Sequence, residues 1–218
     1  MPSFRCQTCD TVFEVSQSAL DKFPRWQPRH CRAHSPRKDT AGKKAPGKAF
    51  AGRAAFLREE NLTLAQVLAK YDSGPTSGVF TDGSAVPNPG PGGWGVVWVE
   101  AGAIRAARHG HVQRTTNNRM ELTALIEAFR LLSDDAEVVV RTDSKLCVDT
   151  IEKWAPGWER KGWKKKGGAI MNLELVQELL AQRRAHPGCT LAWIAAHSGN
   201  RWNEYADSLA TAWLRTEL

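Results

Sequence analysis

At 218 residues the chain suits one medium domain with a small appendage, and a hydrophobic content of 42 % supports a buried core. The net charge of +7 is unevenly spread: residues 1–75 carry 13 Lys/Arg against 7 Asp/Glu, and residues 76–218 carry 17 against 16. A basic leader on a nearly neutral body points to an acidic polymer partner. With no apolar run of spanning length and no charged–apolar–small leader, the sequence argues against a membrane or secreted protein, so a cytoplasmic location is expected; a monomer is the expected state.

The chain is expected to divide into a zinc-ribbon-like module at 1–35, a basic linker at 36–75 and a main domain at 76–218. Three of the five Cys fall within the first 31 residues. In a reducing compartment, clustered Cys bind metal more often than they pair. Cys6-x-x-Cys9 and Cys31-x-x-His34 have zinc-knuckle spacing, and His30 is an alternative to His34 as the fourth ligand. Four protein ligands leave no open position, which makes the predicted Zn²⁺ structural. It would supply folding energy that so short a unit lacks.

Residues 36–53 have linker composition, rich in Lys, Arg, Gly, Ala and Pro. An amphipathic helix follows over 54–71, with Asn61 or Thr63 as its cap. The main domain reads as strands at 78–82, 94–99 and 103–111, a helix at 118–132, and a strand at 137–142. A helix at 144–154, a basic segment at 155–171, a helix at 172–185, a strand at 189–196 and a helix at 203–214 complete it. Three strands followed by alternating helix and strand imply an α/β fold with a mixed sheet covered by helices.

Four acids stand out: Asp82 and Asp143 at strand ends, Glu121 early in a helix, and Asp207 inside the last helix. Carboxylates brought together resist joint ionisation, and a divalent cation relieves that cost. Hard oxygen donors select Mg²⁺ or Mn²⁺ over zinc. Two such ions about 3.5–4 Å apart activate a water and stabilise the leaving oxygen of a phosphodiester. Between 153 and 166, Trp154, Trp158 and Trp163 interleave with six Lys/Arg, the combination that backbone neutralisation and stacking on nucleic acid require.

The words TDGS (81–84), NPGPGGWG (88–95), TTNNRMEL (115–122), TDS (142–144), WAPGWERKGWKK (154–165), AAHSGN (195–200) and NEYADSLA (203–210) together resemble type 1 ribonuclease H, in the family's order. The resemblance runs from about Gly78 to Trp213. It implies the RNase H-like fold, with a five-stranded mixed sheet, and hydrolysis of the RNA strand of an RNA–DNA hybrid with two Mg²⁺, leaving 5′-phosphate and 3′-hydroxyl ends. It places the metal quartet on Asp82, Glu121, Asp143 and Asp207, and the mobile histidine on His197, a residue type suited to proton transfer near neutral pH. Asn88, Asn117 and Asn118 are implied to face the RNA strand, where the 2′-hydroxyl separates RNA from DNA. Arg114, Thr116 and Asn172 are implied to form a phosphate pocket for the DNA strand, although Asn172 also suits a helix N-cap. Trp154 and Trp158 are implied to line the DNA channel, with Trp163 anchoring the protrusion. Lys145, after the Asp143–Ser144 pair, departs from the pattern by placing a cation near the scissile region. Residues 1–35 are expected to aid nucleic-acid binding, with protein docking as the alternative.

Overall fold

The computed structural model describes residues 2–7, 10–22, 27–29 and 61–218. The chain divides into two compact units, Met1–Leu57 and Arg58–Leu218.

In the first unit, β1 (Ser3–Arg5) and β2 (Val12–Glu14) form an antiparallel hairpin, followed by α1 (Gln17–Lys22). Phe4 lies opposite Phe13 in register, with ring centroids 6.1 Å apart. Cys6 opens the hairpin turn and is buried. Its N–H donates to the Thr11 carbonyl at 3.0 Å, and its carbonyl accepts from Asp10 N at 2.9 Å. The other predicted zinc ligands, Cys9, Cys31 and His34, lie outside the described residues, as does His30.

The second unit opens with α2 (Leu64–Lys70). Thr63 Oγ1 accepts from Gln66 N, and Gln66 Oε1 accepts from Thr63 N at 2.8 Å. This reciprocal capping box satisfies two backbone donors that a helix start otherwise leaves open. The sheet follows: β3 (Gly78–Ala85), β4 (Gly90–Glu100), β5 (Ala103–Thr115), β6 (Val139–Thr142) and β7 (Thr190–Trp193), in spatial order β5-β4-β3-β6-β7. β3, β4 and β5 are antiparallel neighbours, and β6 runs parallel to both β3 and β7. The helices are α3 (Asn117–Arg130), α4 (Lys145–Asp149), α5 (Ala155–Arg160), α6 (Leu173–Ala185) and α7 (Arg201–Ala210).

Strand side chains alternate between faces, so one sheet feeds two apolar layers. Val79, Val96 and Val140 pack with Leu122, Leu125, Phe129, Ile151 and Leu179. Phe80, Val97 and Val99 pack with Val67, Trp202, Tyr205 and Leu209. Of the helix predicted over 54–71, residues 54–60 lie outside the described residues; the part described is α2, Leu64–Lys70, with Thr63 as its cap, and it completes the second layer.

Several element bounds differ from expectation. β4 begins at Gly90, because its glycines pair with β5 across an irregular register. The predicted helix at 144–154 runs through α4 into a wide turn of helix at Thr150–Trp154. The basic segment then starts with α5, which places Pro156 in its first turn, where a missing N–H costs no helical bond. α7 starts at Arg201 and ends at Ala210, with Asn200 as its cap.

Candidate active site

Register brings two of the four acids together. In the parallel β3–β6 pair Thr81 lies opposite Thr142, so Asp82 and Asp143 each follow a matched residue on adjacent strands. Glu121 arrives because Gly83 has no side chain. A Cβ there would lie 2.1 Å from Glu121 N and 2.2 Å from the Met120 carbonyl carbon, so only glycine lets α3 approach β3 this closely. Gly95, opposite Asp82, does the same for α7, where a Cβ would lie 2.4 Å from the Ala206 carbonyl oxygen. Asp82, Glu121 and Asp143 offer oxygens within 4.8 Å of one another, and His197, Glu204 and Asp207 form a second such group. The Asp82 and Asp207 carboxyls lie close enough for either, when protonated, to donate to the other, so the two groups are contiguous.

The electrostatics follow from this crowding. Burial, then Glu121, Asp207 and Asp143, holds the Asp82 carboxyl well above the ordinary range. Burial first, then Asp143, raises Glu121 well above its usual value, against a hydrogen bond from Thr142. Asp143 and Asp207 are also raised by burial, against the opposing pull of His197. The donor set is hard oxygen, partly shielded and unwilling to carry its full negative charge unaided, which fits divalent Mg²⁺ or Mn²⁺.

His197 is exposed on the loop after β7 and has a left-handed backbone (φ 48°). Its Nδ1 lies 3.9 Å from Glu204 Oε2. Asn88 Oδ1 accepts from Asn117 N at 3.3 Å, and Asn117 Oδ1 accepts from Ala85 N at 2.7 Å, tying the loop between β3 and β4 to the start of α3. Asn172 Nδ2 donates to Asn118 Oδ1 at 2.6 Å, and Asn172 Oδ1 accepts from Arg119 Nη1 at 3.2 Å. Asn172 makes no side-chain cap on α6, so its amide serves this cross-link instead of the N-cap alternative. Thr116 caps α3 by accepting from Arg119 N, and Arg114 is exposed beside it.

Trp154 is 42 % exposed with its ring 6.1 Å from that of Trp158, and Lys165 Nζ sits 5.6 Å over the Trp158 ring. Trp158 and Trp163 both pack against the core, as the anchor role predicts for Trp163. Lys145 turns along its own helix to Asp149, at 3.7 Å. A cavity of about 300 Å³, lined by His109, His111 and Trp213 among others, contains none of the four acids.

Three residues escaped the sequence reading. Asn203, only 2 % exposed, lies beside the Asp143 carboxylate and pulls its pKa down against burial. Trp193 Nε1 donates to the Asp143 carbonyl at 3.0 Å. Glu204, buried and three residues before Asp207, accepts from Gly199 N at 3.3 Å. Glu204 carried a usable signal, an acid one helical turn from another. The roles of Asn203 and Trp193 exist only once β6, β7 and α7 are assembled.

The RNase H family model matches residues 75–215. The chain belongs to the RNase H family. It is 45 % identical over 133 residues to Ribonuclease H of Rhizobium meliloti strain 1021, covering 61 % of this chain and 86 % of that protein. It is 42 % identical over 137 residues to Ribonuclease H of Methylococcus capsulatus strain Bath, covering 62 % and 87 %. Among solved structures, it is similar to a type 1 RNase H with the type 2 active-site motif at 35 % identity and a TM-score of 0.52, covering 65 % of this chain and 74 % of that one. The RNase H domain of a foamy virus shares the fold, with a TM-score of 0.53 at 20 % identity, covering 63 % and 93 %. Membership carries the family's activity, endonucleolytic degradation of RNA in RNA–DNA hybrids, and its use of divalent metals such as Mg²⁺.

Proposed function

We propose that this RNase H cleaves the RNA strand of RNA–DNA hybrids by a two-metal mechanism, with Asp82, Glu121, Asp143 and Asp207 as its metal ligands. The observation that carries the reading is the convergence of four partly buried carboxylates whose neighbours keep one another from ionising freely. When bound, two Mg²⁺ or Mn²⁺ ions would activate a water and stabilise the leaving 3′-oxygen. Asp82 lies at the centre of the cluster, against Glu121, Asp143 and Asp207, and would be a ligand when the ions bind. His197 handles the proton at the loop edge, and Asn203 holds the Asp143 carboxylate in one orientation. The products carry 5′-phosphate and 3′-hydroxyl ends.

Asn88, Asn117 and Asn118 read the RNA strand, the first two with amide oxygens held by backbone N–H groups and Asn118 by the Asn172 amide, as a preorganised surface. Arg114, Thr116 and Asn172 receive a phosphate of the DNA strand, and Trp154 and Trp158 line its channel. Residues 1–35 form a zinc-stapled module through Cys6, Cys9, Cys31 and His34, with His30 as the alternative fourth ligand. The module adds nucleic-acid contact. A hairpin that places buried Cys6 at its turn supports the zinc ligation.

The test is cleavage of a labelled hybrid beside matched duplex DNA and duplex RNA, in Mg²⁺. The hybrid's RNA strand is expected to be cut and both duplexes left intact. A wild-type protein that binds the hybrid and leaves its RNA whole refutes the proposal.

A further inference from the structure

Residues 61–74 precede the family-matched region, yet they are bonded to the part of the catalytic domain that carries His197 and Asp207. Ser73 Oγ donates to the Gly199 carbonyl at 2.8 Å, and the Ser73 carbonyl accepts from Arg201 N at 3.0 Å. The backbone of Ser73 also makes a one-residue parallel bridge to Asn200. The Arg201 guanidinium donates to the carbonyls of Tyr71 and Leu68, and Ser208 Oγ donates to the Leu62 carbonyl at 2.6 Å. Gly74 lies so close that a Cβ there would sit 2.2 Å from Asn200 Nδ2. Below these bonds, Val67 is buried against Trp202 and Tyr205.

The bonded loop is the one that carries His197. Gly199, two residues on, is gripped from both sides: its carbonyl accepts from Ser73 and its N–H donates to Glu204, the acid nearest the His197 ring. Asn200 then caps α7 by accepting from Asn203 N, and Asn203 holds Asp143. His197 has a positive φ, a conformation costly for a residue with a side chain and one an untethered loop would leave readily.

We propose that residues 61–74 are a strap that positions the catalytic loop, and that Ser73 is a positioning residue acting through His197. This rests on the proton-handling reading of His197 given above. A strap that fixes one end of a short loop narrows the range of imidazole positions, and catalytic rate is sensitive to such placement.

A double-mutant cycle on the full chain tests it, using steady-state cleavage of a hybrid in Mg²⁺. Ser73→Ala is expected to lower kcat about threefold to tenfold, the range one such hydrogen bond can move, with KM unchanged. Ser73→Thr, which keeps the hydroxyl, restores it. In a His197→Ala background, Ser73→Ala produces no further loss, because the group it positions is gone. Amide exchange across 198–202 speeds up in Ser73→Ala. Full additivity with His197→Ala, an unchanged kcat, or unchanged exchange each overturns the proposal. A His197→Ala variant as active as wild type removes both the strap's role and the reading of His197. An impaired His197→Ala beside a fully active Ser73→Ala removes the strap's role alone.

Discussion

At the scale of single residues, the chemistry rests on carboxylates that the fold places against their own preference. Asp143→Asn keeps the shape and removes a charge. Hybrid cleavage is expected to fall by roughly 10²-fold or more while hybrid binding persists, as read by a cleavage assay beside a binding titration. Asp82 makes a second prediction, in stability. Burial and neighbouring acids raise its folded-state pKa above that of the unfolded chain. The metal-free fold therefore holds that proton more tightly than the unfolded chain does. The stabilisation is complete below the unfolded value, about pH 4, and is lost as pH rises through the raised value. In the absence of divalent cations, Asp82→Asn is expected to melt above wild type at pH 8, with the gap closing towards pH 4. Added Mg²⁺ should raise the melting temperature of wild type more than that of the variant. Equal melting temperatures at pH 8 would refute the idea that the acids strain the fold.

At the scale of elements, two close approaches assemble the site, and each needs a missing side chain. Gly83→Ala puts a methyl group onto backbone atoms of Met120 and Glu121, where no flexible side chain can yield. A loss of about 1–3 kcal/mol is expected in denaturant unfolding, with cleavage falling further than the stability loss explains because Glu121 moves off Asp82. α5 and the basic segment after it carry the proposed DNA channel. Trp154 is half exposed and interleaved with lysines, a surface suited to a phosphate backbone and not to a core. Replacing Lys164, Lys165 and Lys166 by Ala is expected to weaken hybrid binding and to reduce its salt dependence by up to about three phosphate contacts, with kcat preserved at saturation. A binding curve with an unchanged salt slope would move the substrate channel elsewhere.

At the scale of the whole molecule, the chain splits into units ending at Leu57 and beginning at Arg58, and the family match lies wholly in the second. Removing residues 1–57 is expected to leave kcat on hybrids nearly intact and to raise KM, since basic residues are concentrated in the part removed. A KM unchanged at physiological salt would favour protein docking as the role of that unit. Among the described residues, no helix is long and apolar enough to cross a membrane.

Sequence alone determined the alternation of strand and helix, because side-chain periodicity is a local property of each element. It also singled out the four acids, from their places at strand ends and in helices and from the words that resemble type 1 ribonuclease H. Folding decided what depends on distance between elements. The parallel register of Thr81 with Thr142 makes Asp82 and Asp143 neighbours. The bare backbone of Gly83 brings Glu121 beside them. Asn203 and Trp193 acquire their hold on Asp143 only after α7 and β7 dock, and Ser73 meets Gly199 across 126 positions of sequence. Hydrogen bonds of this kind depend on the final separation of two atoms, and no pattern in a single strand of text encodes that separation.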